Sequence, residues 1–153
     1  LECDAAVQRL PEFDGVLVTG NYPSDWVTEA TAAAVPAEAF VLALETLPNR
    51  LLERADVVLP AATWLEKAGT FENASNRLQA FDRAIDPIDF CKSEAQIAID
   101  LLARIRGEQP AAFNPAMTRQ AMAAEQGLAE FLEVATPSAT KVHIEPDMEL
   151  VEL

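Results

Sequence analysis

Between residues 66 and 79 the sequence gathers side chains suited to gripping a large polar ligand: Glu66, Thr70, Asn73, Arg77 and Gln79. Arginine presents a planar fork to phosphate or carboxylate, and the amides of Asn73 and Gln79 offer donor and acceptor edges to a heterocycle. The same side chains have a second use. They can satisfy one another and the loop backbone, with Glu66 paired to Arg77 and no ligand involved. Both uses are open to this set. Trp64 and Phe71, in the same stretch, read as wedges that anchor it to a core.

Other chemistries find no support. His143 is the only histidine and is remote in sequence from any serine or cysteine placed as a nucleophile, so no triad and no catalytic residue can be assigned. Nor can a metal site. Cys3 and Cys91 lack C-x-x-C spacing, which excludes an iron-sulfur cluster or structural zinc built from them, and two unpaired thiols suit a reducing cytoplasm. A net charge of −14, from 11 basic and 25 acidic residues, argues against nucleic acid as a partner. No apolar run approaches the roughly 18 residues of a membrane span, so direct membrane insertion is not expected.

The elements that must position these residues alternate. Half of the 153 residues are hydrophobic, enough to bury an ordinary core. Helix is expected over Asp4 to Leu10, and strand over Gly15 to Thr19. Gly20 and Asn21 then form a corner leading to a helix around Trp26 to Val35, capped by Ser24 or Asp25, whose first turn could favour an anion. Ala39 to Leu44 lacks polar alternation, as a buried parallel strand does. Asn49 to Ala55 reads as a short amphipathic helix and Val57 to Leu59 as a third strand, stopped at Pro60 because proline lacks the ladder amide. Leu59 to Asp86 reads as one long polar loop beyond the strand end, where open α/β sheets place ligands. Ser93 opens a helix that Gly107 stops, and 110–115 is a linker. Ala116 to Val134 is expected to be helical, and the acidic tail offers Val142 and Ile144 as an edge strand. The fold class is α/β: a Rossmann-like parallel sheet with helices on both faces, plus C-terminal helices and a short tail.

The run Ala55-Asp56-Val57-Val58-Leu59-Pro60, followed by Glu66, Gly69, Thr70, Asn73, Arg77 and Gln79, resembles the molybdopterin oxidoreductase superfamily. Gly20-Asn21-Tyr22-Pro23 is similar to its G-x-N-P corner. The resemblance implies that Gly20, Asn21, Glu66, Thr70, Asn73, Arg77 and Gln79 mark the cofactor-binding positions. In molybdenum and tungsten members that cofactor is molybdopterin guanine dinucleotide, and formate dehydrogenases and nitrate reductases are of this kind. The family's aspartate after the second strand and its T-x-T pair are replaced by Glu45, Asn49 and Leu51, and too little chain follows Pro110 for a second pterin-binding barrel.

These departures favour the branch found in the large iron-sulfur subunit of NADH-quinone oxidoreductase, respiratory complex I. There the domain persists as a scaffold without the pterin, and iron-sulfur clusters bind to upstream cysteine motifs. The implied partners are upstream domains of the same polypeptide and other subunits of a respiratory complex, in the cytoplasm and peripheral to the inner membrane. On that reading 1–110 is a partial family domain, excised from a longer chain, and 111–153 is a helix and acidic tail packed on it.

Overall fold

The computed structural model describes residues 3–20, 24 and 26–134. The chain divides into two compact units, Leu1–Ala68 with Arg83–Asn114, and Gly69–Asp82 with Pro115–Leu153.

The first unit is built on a parallel sheet of three strands in the order β1 (Gly15–Thr19), β2 (Phe40–Glu45), β3 (Val57–Pro60). β2 takes the middle, and its Val41 and Ala43 are fully buried because a central parallel strand meets protein on both edges and both faces. Val18 and Val41 pack with Val27, Val35, Ala39 and Leu51 in one core cluster. Val41 and Leu51 are its largest fully buried side chains, and each contributes about 2 kcal/mol by leaving water.

Two polar side chains hold the frame. Asp56 brackets Val41: its amide donates to the Val41 carbonyl at 2.9 Å, and its Oδ2 accepts from the Val41 amide at 2.7 Å. The aspartate thus adds one rung to the β2–β3 ladder beyond the residues that pair as strand. Arg54 donates Nη1 to the carbonyls of Ala32 and Val35 and Nη2 to that of Pro36, all within 3.0 Å. It thereby satisfies acceptors at the end of α2 (Glu29–Ala34) that the helix leaves open.

Helix boundaries depart from expectation where a side chain competes for the backbone. α2 starts late: Thr28, not Ser24, is its cap, with Oγ1 accepting from the Thr31 amide, while Trp26 and Val27 remain non-helical. Asp25 lies outside the described residues, as do Asn21 and the strand expected at Val142 and Ile144. The helix expected over Asn49 to Ala55 is a single 3-10 turn, Leu52–Arg54, because Asn49 Oδ1 takes the Leu51 amide and sets a turn. α1 (Cys3–Arg9) and α3 (Glu94–Arg106) form as read. Ser93 caps α3 through the Gln96 amide, and Gly107, at φ 70°, closes it.

The long loop is where expectation and structure differ most. It contains an antiparallel hairpin, β4 (Gly69–Glu72) with β5 (Leu78–Phe81), which belongs to the second unit. The signal was present in Thr-Phe-Glu and Leu-Gln-Ala-Phe flanking the turn formers Asn73 and Asn76. The helix expected through Val134 ends early, as α4 (Pro115–Ala123). Gly127, at φ 83°, interrupts it before a 3-10 turn at Ala129–Leu132. No helix among the described residues is long and apolar enough to cross a membrane.

Candidate functional site

Glu66 faces inward. Thr63 and Glu66 form a capping box around the 3-10 turn Trp64–Glu66, with Glu66 Oε2 accepting from the Thr63 amide at 2.7 Å. Its Oε1 accepts from the amide of Ile88 at 3.1 Å. The Thr63 amide, followed by the Thr63 hydroxyl, holds the carboxyl below its ordinary range; burial opposes them, and the Ile88 amide adds to the lowering. The carboxylate therefore works as a charged acceptor that stitches 63–66 to the segment near 88. Leu65 reinforces the seam by accepting from the amides of Ala84 and Ile85. Lys67 extends it to α3 through two bonds to Glu94, at 2.6 and 2.8 Å.

Thr70, Asn73, Arg77 and Gln79 come together on the β4–β5 hairpin of the second unit. Asn73 builds the turn: its Oδ1 accepts from the amides of Ser75 and Arg77, and its Nδ2 donates to Gln79 Oε1 at 3.0 Å. Asn76 supplies the left-handed residue, at φ 55°. Thr70 Oγ1 accepts a long bond, 3.4 Å, from Arg119. Arg77 is exposed and lines an open cavity of about 440 Å³ with Glu72, Glu130 and Glu133. Phe71 stacks on Phe81 with centroids 4.4 Å apart, and Trp64 is 59% exposed.

Gly20, in the first unit, sits at the carboxyl end of β1 under the Trp26 indole, which a Cβ at that position would overlap. Trp26 Nε1 donates to Glu45 Oε1 at 3.1 Å, and Glu45, closing β2, is only 5% exposed. Sequence reasoning placed Glu45 at this strand end but missed its tie to Trp26, because the partners stand 19 residues apart. Nearby in the chain, Asn49 Nδ2 is buried without a partner. Among the described residues no group of His, Cys, Asp and Glu is arranged for a metal ion.

Residues 6–104 match the family described as molybdopterin oxidoreductase. That match covers well over half of the sequence and includes the three-stranded sheet, the hairpin and most of α3. The chain belongs to the molybdopterin oxidoreductase family.

Within this family it is 43% identical over 77 residues to the NADH-quinone oxidoreductase G subunit of Streptomyces coelicolor, covering 50% of this chain and 9% of that protein. It is 41% identical over 71 residues to the protein of the same name from Mycobacterium bovis, 46% of this chain and 9% of that one. A periplasmic nitrate reductase of Desulfovibrio desulfuricans is 32% identical over 78 residues, 50% of this chain and 10% of the relative. The chain thus spans about a tenth of the length of these relatives.

The molybdopterin guanine dinucleotide implied by the family finds a poor fit in the residues present. The Trp26 indole fills the space over Gly20, and the Glu45 carboxylate beside it opposes a phosphate. Leu51, at a place where the family pattern has a hydroxyl, is 1% exposed in the core. Asn73 is already used on both atoms of its amide. Only the Asn49 Nδ2 is a buried side-chain donor left to offer among the described residues.

Proposed function

We propose that this chain is the C-terminal molybdopterin-oxidoreductase-like domain of an NADH-quinone oxidoreductase large subunit, acting as a scaffold in a redox complex. The observation that carries this reading is the commitment of Glu66 and Asn73 to the chain's own amides. These are pattern residues expected to face a cofactor, and they instead hold the seam and the hairpin turn. Trp26 and Glu45, at the strand ends, oppose an anionic ligand there. The higher identity to the NADH-quinone oxidoreductase relatives supports the same assignment.

On this proposal the family domain spans 1–110, and 111–153 is an appended helix and acidic tail. Electrons pass through iron-sulfur clusters in upstream parts of the parent. Its partners are those upstream domains and other subunits of a respiratory complex. The assembly lies on the cytoplasmic side of the inner membrane and is held there through the partner subunits.

A second reading, a cofactor-binding fragment of a molybdopterin guanine dinucleotide enzyme such as a nitrate reductase or formate dehydrogenase, draws on the nitrate reductase relative and the orphan Asn49 Nδ2. One measurement separates the two: metal and pterin analysis of the purified full-length parent. The scaffold reading expects iron without stoichiometric molybdenum or tungsten, and stoichiometric amounts of either metal together with pterin would overturn it.

A further inference from the structure

Within the first unit, a cavity of about 270 Å³ opens between the end of β3 and the flank of α3. Its apolar lining includes Phe90, Ile97 and Leu101, and its charged lining is Lys92, Asp100 and Arg104. The charges are unequally spent. Asp100 accepts from Lys92 at 2.6 Å through Oδ2 and from Gln96 at 2.8 Å through Oδ1, so Lys92 and Asp100 neutralise each other. The Arg104 guanidinium has no hydrogen-bond or ion-pair partner among the described residues. Among the described residues it is the one charged group of this lining that no side chain pairs with, in a chain of net charge −14.

The surface around the cavity is also unfinished. Ile97, Leu101 and Ile105 recur at intervals of four on one face of α3. Ile97 is buried at one end of this stripe, and Ile105 is 83% exposed at the other. Phe90 is 92% exposed and holds φ at 73°, a backbone region that costs a bulky side chain of order 1 kcal/mol or more. Ile88, in the same turn, is 72% exposed. The uncovered apolar side chains extend past the cavity, since Ile88 and Ile105 lie outside its lining. That extent favours a polypeptide over a small molecule as occupant.

We infer that this face docks a protein segment that places an apolar side chain between Phe90 and Leu101 and a neighbouring carboxylate on Arg104. The fork of Arg104 gives direction to a contact whose area comes from Phe90 and the α3 stripe. Phe90 is the anchor: its backbone holds the ring out for a partner rather than for the chain's own core. The inference does not depend on whether a pterin is bound elsewhere, so its failure leaves the scaffold reading standing.

The test selects a random-peptide display library on the full 153-residue chain, then measures affinities of the enriched peptides for wild type, Arg104→Glu and Phe90→Gly. Enriched peptides should carry an apolar residue next to Asp or Glu, and each substitution should weaken them about tenfold or more. Phe90→Gly relieves the left-handed backbone and should leave the melting temperature unchanged or higher, which separates lost binding from lost folding. No enrichment, enrichment of basic peptides, or affinities indifferent to both substitutions would overturn the inference. So would full competition by octanoate with the same dependence on Arg104, because that result assigns the cavity to a small amphipathic acid.

Discussion

Replacing Asp56 by alanine removes the acceptor of the Val41 amide, the shortest contact joining β2 to the entry of β3. Val41 is fully buried, so its N–H loses its partner with little access to water. Leaving one buried donor unpaired costs about 1–3 kcal/mol. A mid-range loss of about 2 kcal/mol corresponds, for a chain of this size, to a fall of about 4–8 °C in melting temperature. Asp56→Asn keeps an acceptor of the same shape and gives up only the charge, so its loss should stay below about 1 kcal/mol. The assay is urea unfolding followed by far-UV circular dichroism, with hydrogen exchange at the Val41 amide as the local readout. The alanine variant should lower the midpoint without changing the slope, and the Val41 amide should lose protection before those of its β1-facing neighbours. Equal losses for alanine and asparagine, or Val41 protection unchanged in Asp56→Ala, would refute the assignment of this carboxylate as a ladder rung.

Glu66 makes stability depend on acid. Its folded-state pKa is lowered from the ordinary 4.5, so its contribution is complete above that value and is lost as pH falls through the lower folded value. Glu66→Gln should therefore flatten the decline in stability between about pH 6 and pH 3, as read by melting temperature against pH. Asp100, lowered by Lys92 and then Gln96, has the same sign, and Asp100→Asn should remove a further part of the acid slope. Gly20→Ala drives a methyl into the Trp26 indole. It should cost about 1–3 kcal/mol, and in a Trp64→Phe background the remaining tryptophan emission should shift to the red as the ring leaves Glu45. Arg54→Met keeps the aliphatic stem and removes the guanidinium donors to the carbonyls of Ala32, Val35 and Pro36. An expected loss of about 1.5–3 kcal/mol is checked by the urea midpoint.

Much of the fold was legible because it rests on local rules. The apolar runs of β1 and β2, the stop at Pro60, and the Ser93 and Gly107 ends of α3 are each written in a few consecutive residues. The family pattern from Ala55 to Gln79 was legible in the same way, as residue types at fixed spacing. What those residues do is another matter. Asn73 looked equally suited to a heterocycle or to its own turn, and Glu66 to a ligand or a cap, because donor and acceptor capacity is the same in both roles.

Only tertiary structure chose between such uses. Pairing β4 with β5 placed Asn73 opposite Gln79, and folding residue 88 back onto residue 66 gave Glu66 its second amide. The parallel ladder turned Asp56 toward Val41, and the corner after β1 brought Trp26 across to Glu45. Sequence by itself determined the three strands of the parallel sheet and the two ends of α3, since those outcomes follow from side-chain periodicity and the backbone limits of proline and glycine. The partner of each polar group was decided by chain topology, because a hydrogen bond acts over about 3 Å and its two ends here lie as far as 49 residues apart.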